Sequence, residues 1–288
     1  MLLTDIAARC YTAGPAPADA LKVSKEFDRQ GIPTVIGYWN DNGDSPEIVW
    51  NACARILDGL QGCSTPAAEN YLSVKLPALG FSDSLLHRLL DKALRRNVSI
   101  HFDALSHPDA GRIGDVLHRM VRRYTSRGLG LTIPGRWRRS LFDAEWAART
   151  GVRIRVVKGE WPDPESPETD LRYGFLDVID RLSGRSAVVS IATHDTELAD
   201  EAARRLKKGG TPFEFELLFG RPLSPIMDLA RGMRIPVRVY VPCGRAWLPY
   251  RLKTIPQSPR ISGWFMRDIV KGAAKALLSG TGHLTRDT

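Results

Sequence analysis

Eight short apolar runs, each followed by a stretch with helical spacing, leave this chain few folds to choose from. Pro33–Tyr38 is apolar and β-branched, and Ser45–Leu60 after it carries Ile48, Val49, Ala52, Ile56 and Leu57 on one helical face. The alternation recurs with Tyr71–Lys75 and Leu85–Leu94, Val98–Phe102 and Val116–Tyr124, Leu129–Ile133 and Leu141–Arg149. It continues with Val152–Val157 and Leu171–Leu182, Ala187–Ile191 and Leu198–Leu206, Phe213–Leu217 and Ile226–Met233, and Val237–Val241. Eight strands alternating with helices predict an α/β fold closed into a (β/α)8 TIM-like barrel. No G-x-G-x-x-G follows the first run, which argues against a dinucleotide-binding doubly wound sheet. The 288 residues are expected to form one domain, with strands from about 33 to 241 and a C-terminal helical region over 247–280.

A net charge of +9 raises the question of nucleic acid. The basic residues are dispersed, however, and only Arg136-Trp-Arg-Arg139 is tightly clustered, without a nucleic-acid-binding motif. No nucleic-acid partner is expected, and the balance suits an anionic cofactor or substrate instead. The four cysteines include no C-x-x-C pair, so free thiols are expected. No basic n-region opens the chain, and no run approaches the ~20 apolar residues of a spanning helix. A soluble, cytoplasmic protein is the expectation.

In a barrel, residues just past the C-terminal ends of the strands form the ligand-binding rim. Here they are Lys75, Asp103, Arg155 with Lys158, Thr193 with His194 and Asp195, Glu214 with Glu216, and Tyr240. Singly, each has a bland explanation: Lys75 and Asp103 can pair, and the Thr193–Asp195 segment can cap a helix. Together they describe a site. His194, Glu214 and Glu216 include metal-ligand types, but the cations around them argue against a divalent ion, and no metal is expected. A Schiff-base aldolase using Lys75 or Lys158 also fits strand-end chemistry.

Four segments in order decide among these: Arg155-Val-Val-Lys-Gly-Glu-Trp161, Ala192-Thr-His-Asp195, Phe213-Glu-Phe-Glu-Leu-Leu-Phe-Gly220 and Arg238-Val-Tyr-Val-Pro-Cys-Gly244. This set resembles the motifs of the flavin-dependent proline dehydrogenase family. Ser73-Val-Lys-Leu76, His101-Phe-Asp103 and Thr169-Asp-Leu-Arg-Tyr173 are similar to further family segments. The resemblance runs from about Gly31 to Gly272. It implies a distorted (β/α)8 barrel that holds FAD at its C-terminal face and oxidises L-proline to 1-pyrroline-5-carboxylate by hydride transfer to flavin N5. By resemblance, Arg155 stabilises the reduced flavin, while Lys158, Gly159, Trp161, Thr193, His194, Asp195 and Glu216 surround the cofactor. Lys75, Asp103 and Tyr240 border the substrate. A quinone at a membrane surface is the implied electron acceptor.

The chain departs from the family at four places. Asp195 stands for an asparagine, Glu216 for a glutamine, and Pro134 for a fourth-strand glutamine. After Trp247-Leu-Pro-Tyr250, the paired arginines that grip the proline carboxylate are replaced by Arg251-Leu-Lys-Thr254. Arg251 or Lys253 is expected to supply a single cation there, which cannot reproduce a double fork. The alternatives are oxidation of another cyclic or N-substituted amino acid, or a catalytically silent barrel that binds an anionic ligand or a partner.

Overall fold

The computed structural model describes residues 12–41, 43–60, 69–104, 106–124, 126–159, 161–185 and 188–244. The expected helical region at 247–280, with Arg251 and Lys253, lies outside the described residues.

Eight parallel strands close into a barrel in sequence order. They are β1 (Thr34–Tyr38), β2 (Tyr71–Val74), β3 (Ile100–Phe102), β4 (Leu129–Pro134), β5 (Arg153–Val157), β6 (Val189–Ile191), β7 (Phe213–Leu218) and β8 (Val237–Cys243). Closure is made by β8 on β1, where Val35 is level with Tyr240 and also with Tyr71 of β2. All eight expected strands are present, and the expected barrel is the fold.

A helix leads into β1, and one lies between each successive pair of strands: α1 (Pro17–Asp28), α2 (Pro46–Leu60), α3 (Asp83–Arg96), α4 (His107–Arg123), α5 (Ser140–Thr150), α6 (Leu171–Leu182), α7 (Thr196–Gly209) and α8 (Ser224–Met233). Their apolar stripes cover the outward faces of the strands, so Ile36, Leu72, Phe102, Ile154, Ile191, Phe215 and Val239 join the helices in one core. Side-chain caps fix several helix starts: Ser82, Ser106, Asp170 and Asp195 each accept an N–H from the first turn. Among the described residues no helix is long and apolar enough to cross a membrane.

Two helices differ from expectation. α4 begins at His107, nine residues before Val116, because Ser106 caps it and Pro108 suits its first turn despite Gly111 and Gly114. α1 was not anticipated. It buries only Ala20 and Ser24, too few to make a periodic signal, and packs over the β8–β1 seam and on α2. Ser24 and Thr34 share a hydrogen bond of 2.5 Å between their hydroxyls, which ties α1 to β1.

Candidate active site at the barrel mouth

Barrel interiors are ordinarily filled by branched apolar side chains. This one is filled by charge. At the N-terminal end, Glu214 of β7 accepts from Arg238 of β8 at 2.9 Å, from Arg153 of β5 at 3.1 Å and from Ser190 of β6 at 2.7 Å. Burial raises the Glu214 carboxyl, but the two guanidinium groups outweigh it and hold the group below its usual range. Arg238 also donates to the carbonyls of Glu69 (2.6 Å) and Thr34 (3.4 Å), fastening the last strand to the first two. Glu214, expected at the rim, is thus part of the barrel floor.

Above this floor Tyr71 crosses the interior. Arg238 and Arg153 lie over its ring at 4.6 and 5.3 Å, and its hydroxyl donates to Glu216 of β7 at 2.9 Å. His101 stacks on Tyr71 and exchanges a 3.0 Å hydrogen bond with Thr132; burial and then the surrounding arginines push it well below its ordinary value, so the ring is neutral. Gly130 makes room for it, since a Cβ there would stand 2.2 Å from the imidazole Nδ1.

The upper level is organised around Arg155. Its Nη1 donates to Asp103 at 2.6 Å and to Ser73 and Thr132 at 3.3 Å, while Nε lies 2.6 Å from Glu216 Oε1. Burial disfavours this cation, but Glu216 and then Tyr71 and Asp103 reverse the balance and keep it charged. Burial in turn pushes the Glu216 carboxyl above its usual range, against the pull of Arg155. Arg155 Nη2 is buried with no acceptor among the described residues. Such a donor costs about 1–3 kcal/mol unless something at the mouth receives it.

Tyr240 of β8 donates to Asp103 Oδ2 at 3.3 Å and receives the indole N–H of Trp39 at 3.0 Å. Asp103 also accepts from Ser73 at 2.7 Å. Lys75, just past β2, lies with Nζ 5.2 Å from the centroid of the Trp39 ring, and burial lowers its ammonium to about 8 although Asp103 pulls it back up. Lys75, Asp103, Arg155, Glu216 and Tyr240 are therefore brought together at the mouth. Trp39 completes the group. Nothing in its sequence neighbourhood, Gly37-Tyr-Trp-Asn40, marked it as a site residue.

The remaining candidates stand on the rim over β5–β7. Lys158 pairs with Asp195 at 2.8 Å. Asp195 uses its other oxygen to cap α7 through Leu198 N–H; burial raises it, but Lys158 and the cap outweigh that and lower it. Thr193 accepts from Asp195 N–H at 3.2 Å. His194 bonds the Pro222 carbonyl at 3.2 Å and the Leu218 N–H at 2.9 Å, which occupies both ring nitrogens. Burial and then Arg221 lower it to about 4. Trp161 gives its carbonyl to the indole of Trp137. Gly159 has φ +91°, and a Cβ there would meet Pro134 at 2.9 Å and Arg136 at 3.1 Å. The close approach it permits is to β4's end. Among the described residues no cluster of three His, Cys, Asp or Glu could hold a metal ion.

No family model matches the chain. Curated relatives do. It is 24% identical over 284 residues to "Proline dehydrogenase 1" of Bacillus subtilis subsp. natto, covering 93% of this chain and 92% of that protein. It is 24% identical over 282 residues to "Proline dehydrogenase" of Deinococcus radiodurans, covering 91% and 89%. Among solved structures, proline utilization A from Bdellovibrio bacteriovorus, inactivated by N-propargylglycine, superposes with a TM-score of 0.72 at 16% identity. The match covers 84% of this chain and 31% of that one, so this chain spans about a third of the larger protein. A Bradyrhizobium japonicum counterpart gives 0.64 at 17% identity, over 81% and 29%. The similarity read from the motifs is borne out along nine-tenths of the sequence.

Proposed function

We propose that this chain is a flavin-dependent proline dehydrogenase, oxidising L-proline to 1-pyrroline-5-carboxylate at the C-terminal mouth of its barrel. The observation that carries this reading is Arg155: a buried, permanently charged guanidinium at the mouth whose Nη2 has no acceptor among the described residues, inside a segment that resembles a proline dehydrogenase motif, in a chain 24% identical to a protein of that name. A bound FAD would supply the hydride-accepting chemistry, and an orphaned cationic donor suits the negative charge that develops when a flavin is reduced. Lys158, Gly159, Trp161, Thr193, His194, Asp195 and Glu216 are the residues proposed to surround it. Lys158–Asp195 and the doubly bonded His194 fix the rim loops rather than offer free groups, so their contribution is to shape the cofactor's seat.

The chain's own residues account for substrate handling. An amino acid must have its carboxylate matched by a cation once water is excluded, because an unpaired buried charge costs several kcal/mol. Lys75 stands at the mouth, and Arg251 or Lys253 is proposed to add one further cation. Asp103 and Tyr240 form the polar wall beside it, and the Asp103–Arg155 pair holds that wall in place. Electrons are proposed to leave to a quinone at a membrane surface reached from the cytoplasm, where a net charge of +9 favours anionic lipid.

The test is direct. Purified with added FAD, the protein should retain flavin through gel filtration, and L-proline should bleach its visible absorbance. Arg251→Ala and Lys253→Ala should differ, one raising KM for proline and the other not. Bleaching by hydroxyproline or pipecolate but not proline would move the substrate to another cyclic amino acid, and a protein that takes up no flavin would be a silent barrel.

A further inference from the structure

Trp39 belongs to no motif quoted above, yet it touches two residues of the mouth by two different means. Its indole N–H donates to the Tyr240 hydroxyl at 3.0 Å, and Tyr240 spends its own proton on Asp103 at 3.3 Å. The indole is thereby anchored to β8 and, through Asp103, to Arg155 at 2.6 Å. Lys75 lies over its ring, with Nζ 5.2 Å from the centroid. Among the described residues Lys75 makes no ion pair within 4 Å, so its support consists of the aromatic face of Trp39 and the charge of Asp103 across the mouth.

We propose that Trp39 is a positioning residue that holds the Lys75 ammonium charged and directed into the mouth, where the functional reading above puts the carboxylate of the substrate. The proposal rests on the functional reading above for the identity of the anion, but its physical core concerns Lys75 and Trp39 alone. An ordinary solution for a buried lysine is a carboxylate partner. A carboxylate in contact would hold the ammonium too, but it would occupy the site that the substrate's carboxylate needs. An indole face stabilises the cation and leaves its N–H donors unclaimed. Asp103 could have served as that partner, but both its oxygens are engaged by Arg155, Ser73 and Tyr240. The charged and titratable groups sharing the mouth with Lys75 are thus Asp103, Arg155 of β5, Glu216 of β7 and Tyr240 of β8, and the last three are held by partners of their own.

The discriminating measurement is the titration of Lys75 in the full chain, read from the carbon-13 resonances of reductively methylated lysines and assigned with Lys75→Arg. It needs neither flavin nor substrate. Trp is the strongest aromatic partner for a cation and Phe a weaker one, so the Lys75 midpoint should fall in the order wild type, Trp39→Phe, Trp39→Leu, with a total drop of about one pH unit. Should Trp39→Leu fold poorly, the Trp39→Phe shift alone carries the test. A midpoint unchanged in both variants would overturn the proposal. A rise would overturn it as well, since the indole would then act by keeping water out rather than by supporting the charge. Where proline is oxidised, the alkaline limb of kcat/KM should move down with the Lys75 midpoint. A shifted midpoint in a protein that oxidises no proline would uphold the role of Trp39 and remove the functional reading instead.

Discussion

Glu216 Oε1 lies 2.6 Å from Nε of Arg155, yet the N–H is not aimed along that line, so the two meet as charges rather than as an aligned hydrogen bond. The carboxylate's other oxygen is turned to the Tyr71 hydroxyl. Arg155 is therefore shared by two acids, Asp103 and Glu216, and removing it would leave both without that cation.

That sharing predicts strong non-additivity. Arg155→Met should cost about 3–5 kcal/mol of stability, because it strands two buried carboxylates. Glu216→Gln should cost roughly 1 kcal/mol, since the amide still accepts from Tyr71. The double variant should fall short of the sum by about 1–3 kcal/mol. Urea unfolding of the four proteins gives the coupling, and simple additivity would mean that the pair is not energetically linked.

Gly37 faces the Tyr240 hydroxyl so closely that a Cβ would stand 2.1 Å from it. Gly37→Ala should push the phenol away from Asp103 and Trp39. The strand conformation itself tolerates alanine, so the barrel should persist by circular dichroism while kcat/KM falls at least tenfold, on the order expected for losing a positioned donor.

His194 gives a pH dependence whose sign follows from its lowered value. With about 4 in the folded chain and 6.5 as its ordinary value, the unfolded chain takes up the proton first. Its stabilising contribution is full above pH 6.5 and is lost as pH falls toward 4. Thermal melts across that window should show a loss of about 1–3 kcal/mol that His194→Gln largely removes. An identical acid slope in both proteins would contradict the neutral, doubly bonded imidazole.

Gly159→Ala should be destabilising by about 1–3 kcal/mol, because φ +91° lies where L side chains are strained and the methyl would press on Pro134. Flavin retention at a temperature where the variant is still folded separates this backbone effect from loss of the site.

The barrel was legible because parallel strands covered on their outer face by helices read as apolar runs, and the rim was legible because polar residues interrupt those runs at their ends. What sequence could not give was height and direction inside the barrel. Glu214 and Glu216 are two residues apart on one strand and point the same way, yet one belongs to the floor and the other to the mouth. Only the register, which sets Glu216 beside Arg238 and Glu214 beside Ser190, separates them. Arg155 was expected to serve a flavin rather than an ion pair; it is ion-paired on two sides and still keeps one edge open. Trp39 escaped notice because its partners are separated from it by up to 201 residues.

The floor has a consequence for how the chain comes to be folded. Glu214 receives Arg238 only when β8 is in place, and Arg238 then reaches the Thr34 carbonyl across 204 residues of sequence. Without β8 seated, Glu214 would keep Arg153 and Ser190 as partners but lack the guanidinium of Arg238. Seating β8 against β1 therefore couples a strand pairing to a buried ion pair, and both are long-range contacts of the kind that form slowly.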